Sequence, residues 1–260
     1  MIDRNVTRKW WGQQALQAQD PRSVTLDKEP AWWVRQTVRL YQHWLWRSLE
    51  ELRMRPRLAV DLGCGNGDWT IELARRVERL VAVDFAQGFL DAVERRIAAA
   101  GLASSVTFTL SDAAAFEFPV GCDLIVLGAV VQYLDDDEVA AVVQRAQRAL
   151  APGGLVYLRT TASRSADTIR RTSDTYQAIY RPVPWLETCC ERAGLTILRR
   201  TTGTNVIGDE GVRKLLGRHL GRVLGPVLAW PIRLVRRIAR SRMDTEVYHC
   251  LAQTTPQAPT

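Results

Sequence analysis

A chain of 260 residues with 47% apolar residues can bury the core of one large domain with an appended element. No run reaches the ~18 uninterrupted apolar residues of a membrane-spanning helix, and the polar start, Met1–Asp20, lacks the apolar stretch of a secretory signal. The net charge of +7 is concentrated. Residues 211–243 hold nine basic residues and no acid, so the remainder is slightly acidic and the basicity says little about the main domain. Five scattered cysteines, two of them adjacent (Cys189-Cys190), do not make a disulfide framework, and no Cys/His spacing suggests a metal site. A reducing cytoplasm is the expected compartment. Arginine outnumbers lysine heavily, which fits a GC-rich bacterial genome better than selection for phosphate binding.

The first 56 residues precede any core strand. Ala31–Arg55 reads as a helix, with Trp33, Val34, Thr37, Val38, Tyr41, Leu45, Leu49 and Leu52 at three- and four-residue steps between Pro30 and Pro56. Six of the nine tryptophans lie before residue 47. From Arg57 the pattern alternates strand and helix, the sign of a parallel sheet with crossover helices. Strands are expected at 57–62, 80–84, 105–110, 122–127, 154–160, 195–201 and 245–252. Helices are expected near 67–78, 87–100, 136–150 and 166–193, the last with breaks available at Pro182 and Pro184. Thr254–Thr260 reads as a loose tail.

The stretch that organises the chain is Val60–Thr70. An apolar strand ends in Asp61, glycines follow at 63, 65 and 67, and a helix-like run begins at Trp69. A buried strand that breaks into a glycine turn and restarts as a helix makes a cofactor crevice in an open α/β sheet. The last glycine of a dinucleotide-binding G-x-G-x-x-G would fall at position 68, which is Asp, and no lysine follows to make a phosphate-binding loop. The next strand ends in Asp84, 21 residues after Gly63, placed to grip ribose hydroxyls.

With Asp61 before the glycines and Asp84 after them, the chain resembles the class I S-adenosylmethionine-dependent methyltransferases, strongly over Leu58–Gly154 and more weakly to Leu251. The resemblance implies a seven-stranded, mostly parallel, Rossmann-like α/β sheet with helices on both faces and an antiparallel last strand. It implies S-adenosylmethionine as cofactor, held by Asp61, Gly63, Cys64, Gly65, Asn66 and Gly67, with Asp84 and Phe85 at the ribose and Asp112 and Ala113 at the adenine. Leu127, Gly128 and Ala129 would lie beside the methionine part. In this family an N-terminal helical segment commonly folds over the cofactor, often through a motif like Trp10-Trp11-Gly12. Trp11 is therefore a candidate for the pocket, a ring face near a sulfonium being chemically sensible, while four of the six early tryptophans are read as packing.

Gln132 stands where many small-molecule methyltransferases carry a histidine that helps to remove a proton. Glutamine cannot act as a base. Either no base is needed, or it comes from Tyr133, Tyr176 or Tyr180, each of which also reads as an ordinary packing residue. The acceptor atom leaves no motif. The expected activity is methyl transfer to a small molecule or biosynthetic intermediate. The alternative is a non-methylating use of the same cofactor, by aminoalkyl transfer or cyclisation.

The resemblance divides the chain into an N-terminal helical cap (1–56), the cofactor-binding α/β domain (57–202), a basic helical insertion (203–243), and the last strand with its tail (244–260). The insertion reads as two amphipathic helices, Glu210–Leu224 and Pro231–Met243, joined at Gly225-Pro226. It leaves the sheet on the edge that carries the active site. Three readings stay open for it: a lid with its arginines in water, a pair of helices on an anionic membrane surface, or a dock for an acidic carrier protein or phosphorylated substrate. Nucleic acid is not favoured, because the basic residues are not interleaved with exposed aromatics.

Overall fold

A computed structural model of the chain describes residues 2–17, 31–203 and 244–255. The insertion at 204–243, its two amphipathic helices and most of the tail lie outside the described residues, as do the side chains of Trp32 and Trp33.

Two helices come first, α1 (Arg4–Gln17) and α2 (Ala31–Glu51). Then follow β1 (Leu58–Leu62), α3 (Asp68–Ala74), β2 (Arg79–Asp84), α4 (Gln87–Ala99), β3 (Val106–Leu110), β4 (Cys122–Gly128), α5 (Asp136–Ala149) and β5 (Leu150–Ser163). The chain continues through β6 (Ile169–Thr172), β7 (Gln177–Tyr180), α6 (Val183–Arg192), β8 (Leu195–Gly203) and β9 (Thr245–Thr254). All seven expected sheet strands are present. They form one sheet in the order β3-β2-β1-β4-β5-β9-β8, parallel except for β9, which runs antiparallel to both β5 and β8.

The apolar runs explain the central strands. Every residue of β1 is buried, as a strand covered on both faces requires. One core cluster joins Val60, Ile125, Leu127 and Val156 to Val139, Val142 and Ala146 of α5 on one face. The other joins Ala59, Leu80, Val126 and Tyr157 to Leu45 and Leu49 of α2 and Leu73 of α3. The expected glycine stop after Ala98-Ala99-Ala100 is present: Gly101 has φ 71° and donates its N–H to Ala98 O at 3.0 Å.

One expectation fails. Residues 166–193 are not a single helix. They form a two-stranded antiparallel hairpin, β6 and β7, registered Ile169 to Tyr180 and Thr172 to Gln177, and only then a helix from Val183. The reason is local chemistry. Ser173 closes the hairpin, its N–H reaching Tyr176 O and its hydroxyl accepting the Tyr176 N–H at 2.9 Å. Pro182 is the N-cap of α6 with Pro184 in its first turn, where proline is tolerated and a preceding helix cannot run through.

Candidate active site

The strand order reverses between β1 and β4, and a cavity of about 310 Å³ opens at their carboxyl ends. That is where ligands sit in open α/β sheets. Of the fourteen residues assigned to the cofactor from sequence, twelve line this cavity: Trp11, Asp61, Gly63, Cys64, Gly65, Asn66, Asp84, Phe85, Asp112, Ala113, Gly128 and Ala129. Gly67 and Leu127 do not. Gly67 is a packing glycine, with φ 79°, where an added Cβ would stand 2.7 Å from Val93 of α4. Leu127 is fully buried in the core.

The glycine turn is tied to its neighbouring strand. The N–H groups of Gly63 and Cys64 both donate to Val83 O, at 2.8 and 2.9 Å. Gly63 and Gly65 have φ of 74° and 51°, a conformation that costs other residues strain, and nothing stands within 4 Å of a Cβ added at Gly65. A ligand can therefore approach the backbone there.

Two buried carboxyls frame the turn. Asp84 accepts the N–H of Gly65 at 2.9 Å and of Ala86 at 3.0 Å. Burial pushes it up to about 6, against the backbone N–H groups of Ala86, Gly65 and Phe85 that hold it down. Asp61 accepts the Thr70 hydroxyl at 2.8 Å. Burial raises it to about 6 as well; the Thr70 bond opposes the shift, the Asp84 charge adds to it, and the Arg159 charge opposes it.

The adenine-side acid is differently placed. Asp112 accepts from Arg4 and from Arg8 (2.6 Å), both on α1, and from the Ala114 N–H at 2.9 Å. Burial works to raise Asp112. The hydrogen bonds from Arg8, Arg4 and Ala114, with the Arg4 charge, outweigh it and hold the carboxyl below its ordinary value. Arg4 also reaches Glu138 of α5. Thus α1 lies over the cavity, and Trp11 meets Tyr133 edge-on at 5.5 Å and tilts against Phe89 at 6.2 Å.

The four residues proposed from sequence for the chemistry form one hydrogen-bonded chain. Gln132 donates to the Tyr133 hydroxyl at 2.9 Å, which lies 3.3 Å from the Tyr176 hydroxyl, itself 3.2 Å from that of Tyr180. Gln132 and Tyr133 line the cavity; Tyr176 and Tyr180, on the hairpin side, do not. Burial pushes Tyr133 up to about 12 and raises Tyr176 and Tyr180 too. At neutral pH all three are phenols, able to donate a hydrogen bond but not to serve as ready bases. Of the two alternatives left by the sequence, burial of these hydroxyls fits better the one in which no tyrosine base is needed.

Sequence reasoning missed several cavity residues: Arg4, Arg8, Phe89, Arg159 and Thr161. Single arginines in an arginine-rich chain carry no local signal. Arg181, only 1% exposed, was missed too. It donates to Asp136 (2.7 Å), Val131 O (3.0 Å) and Leu134 O (2.6 Å), pinning the loop that carries Gln132 and Tyr133. A larger, open groove of about 650 Å³ lies between α2 and α3, but Arg76 and Arg96 on it are already paired with Glu72 and Asp68, and none of the three turn glycines lines it.

Residues 59–154 match the family described as "Methyltransferase domain". The chain carries a class I S-adenosylmethionine-dependent methyltransferase domain. It is 31% identical to a trans-aconitate 2-methyltransferase of Methylobacterium radiotolerans over 167 residues, 64% of this chain and 53% of that one. The chain therefore spans about half the length of that relative. Among solved structures, the N-methyltransferase NodS of Bradyrhizobium japonicum WM9 shares the fold with TM-score 0.57 at 17% identity, covering 89% of this chain and 100% of that one. An O-methyltransferase from a trans-AT PKS multienzyme of Brevibacillus brevis, in complex with S-adenosyl-L-homocysteine, does so with TM-score 0.59 at 18% identity, covering 78% and 68%. Among the described residues, no helix of the methyltransferase domain is long and apolar enough to cross a membrane, and no group of three or more His, Cys, Asp or Glu is placed to hold a metal ion.

Proposed function

We propose that the protein transfers a methyl group from S-adenosylmethionine to a small molecule. The observation that carries this is Asp84: a buried carboxylate at the carboxyl end of β2, its two oxygens steadied by the Gly65 and Ala86 N–H groups, on the cavity wall beside an open glycine backbone. When bound, S-adenosylmethionine supplies a methyl group already activated by its sulfonium. The protein's part is positioning. Asp84 accepts the ribose hydroxyls, and Gly63–Gly65 give the ligand close backbone access. Asp61 faces the amino group, and Trp11 and Phe89 cover the pocket. Asp112, with two arginines already on it, orders α1 over the adenine side and takes the adenine amino group through its remaining acceptor capacity. Gln132 and Tyr133 present hydrogen-bond donors to the acceptor. Asp84→Ala should abolish S-adenosylhomocysteine binding in a calorimeter while leaving the circular dichroism unchanged; retained affinity removes the reading.

The acceptor is read as a small molecule because the trans-aconitate enzyme and similar relatives act on small molecules. The 203–243 segment supports a second element of the proposal, docking on an anionic membrane surface or an acidic carrier protein. Within it, residues 211–243 hold nine basic residues and no acid. The described chain reaches it from Gly203, which pairs with Val247, and leaves it at Asp244, just before Thr245 pairs with Ser163 at the carboxyl end of β5. Flotation with anionic liposomes of the full chain beside a 203–243 deletion tests it; equal binding refutes membrane docking.

A further inference from the structure

We propose that Arg159 is the carboxylate receptor of this cavity, an assignment that rests on the methyltransferase reading. Arg159 is half-buried near the end of β5 and lines the cavity together with Thr161. Its backbone is fixed by the Ala129 N–H, which donates to Arg159 O at 2.7 Å. A terminal guanidinium nitrogen comes within 3.6 Å of where a Cβ on Gly128 would stand, so the cation reaches the end of β4.

Among the described residues the guanidinium makes no salt bridge, though its charge is felt by Asp61. Among the described residues its buried Nε has no hydrogen-bond partner, and the guanidinium lies over the Tyr41 ring, 5.6 Å away. A buried donor without a partner is costly, and guanidinium is permanently charged, so the position calls for an acceptor. The other cavity cations are already taken: Arg4 and Arg8 both hold Asp112. The turn offers little competition for an anion. The N–H groups of Gly63 and Cys64 go to Val83 O, that of Gly65 to Asp84, and that of Gly67 to Cys64 O at 2.9 Å. Asp61, whose carboxyl the Arg159 charge holds down, accepts its hydrogen bond from Thr70 and makes no salt bridge to Arg159 among the described residues. A carboxylate entering the cavity therefore meets one cation with open donors, in a fork that fits two carboxylate oxygens.

Two carboxylates can arrive: that of the donor's amino-acid end, or one on the acceptor. Calorimetry on Arg159→Met and Arg159→Lys separates them, using S-adenosylhomocysteine and methylthioadenosine, which lacks the amino-acid end. If the donor supplies the group, Arg159→Met weakens S-adenosylhomocysteine roughly ten- to hundredfold, leaves methylthioadenosine unchanged, and Arg159→Lys recovers part of the loss. If the acceptor supplies it, both nucleosides bind as before. Succinate or citrate then binds the S-adenosylhomocysteine-loaded full chain and fails to bind the loaded Arg159→Met protein. Equal loss of both nucleosides marks a structural residue and overturns the assignment. So does unchanged S-adenosylhomocysteine affinity with no Arg159-dependent succinate or citrate binding. A wild-type chain that binds neither nucleoside removes the methyltransferase reading itself, and this assignment with it.

Discussion

The two walls of the cavity are built in opposite ways. The glycine-turn wall is local: the Gly65 N–H and the Asp84 carboxylate that receives it are 19 residues apart, within one strand–helix–strand unit. The facing wall and the supports behind it are assembled from distant pieces. Arg4 meets Asp112 across 108 residues, Asp3 meets Gln177 across 174, and Arg181 meets Leu134 across 47. The first wall is written as a contiguous motif and can be carried by any chain with this sheet. The second exists only once α1, the hairpin and the loop after β4 have converged. Shared chemistry is thus expected from the first wall and individual specificity from the second.

The contrast can be broken most forcefully on the distant wall. Arg181→Met removes three hydrogen bonds and leaves the carbonyls of Val131 and Leu134 without their donor; a loss of about 3 kcal/mol is expected in urea unfolding. S-adenosylhomocysteine affinity should change far less, because the turn and Asp84 do not touch Arg181. Comparable damage to stability and affinity would show that the walls are not separable.

Acidity probes the local wall. Asp61 and Asp84 have folded-state values raised by burial to about 6, above the unfolded value near 3.8. The stability they contribute is therefore full below about 3.8 and is lost as pH rises through about 6. A ligand that needs Asp84 ionised shows the reverse dependence. S-adenosylhomocysteine affinity should fall by about tenfold or more per pH unit below about 6, a trend that Asp84→Asn makes shallower, leaving the part carried by Asp61, and the variant should be no less stable than wild type at pH 7. An affinity flat from pH 5 to 8 would contradict the ionised role of Asp84.

The smallest effect is expected at Tyr176→Phe. It removes one hydroxyl from the Gln132–Tyr133–Tyr176–Tyr180 chain while keeping the ring against Trp10 at 5.3 Å. Unfolding should shift by about 1 kcal/mol or less, with nucleoside binding unchanged. A large loss of affinity would place Tyr176 on the cofactor, against its position off the cavity.

What the sequence could reveal follows the same division. The strand runs Leu58-Ala59-Val60, Leu80-Val81-Ala82-Val83 and Cys122–Leu127 are apolar because both faces of a parallel sheet are covered, so the strands were legible, while the antiparallel last strand followed from the family resemblance. The glycine turn and Asp84 were legible because backbone conformation and ligand approach dictate residue type at adjacent positions. Residues 166–193 misled, since Ser173 and its side-chain turn bonds set a hairpin that apolar periodicity does not report. Arg159 was invisible for a different reason. What distinguishes it from the other arginines is a donor without a partner, and partners are a property of the fold.

The strand order has one further consequence. β9, which follows all the other described strands, is not at an edge; it lies between β5 and β8. During synthesis both neighbours emerge first and must wait with their hydrogen-bonding rims open, as ready templates for another chain. A nascent chain halted before Thr245 holds every residue of the glycine turn yet cannot seal its sheet. Its hazard is self-association, and losing so short a stretch should cost solubility out of proportion to its length.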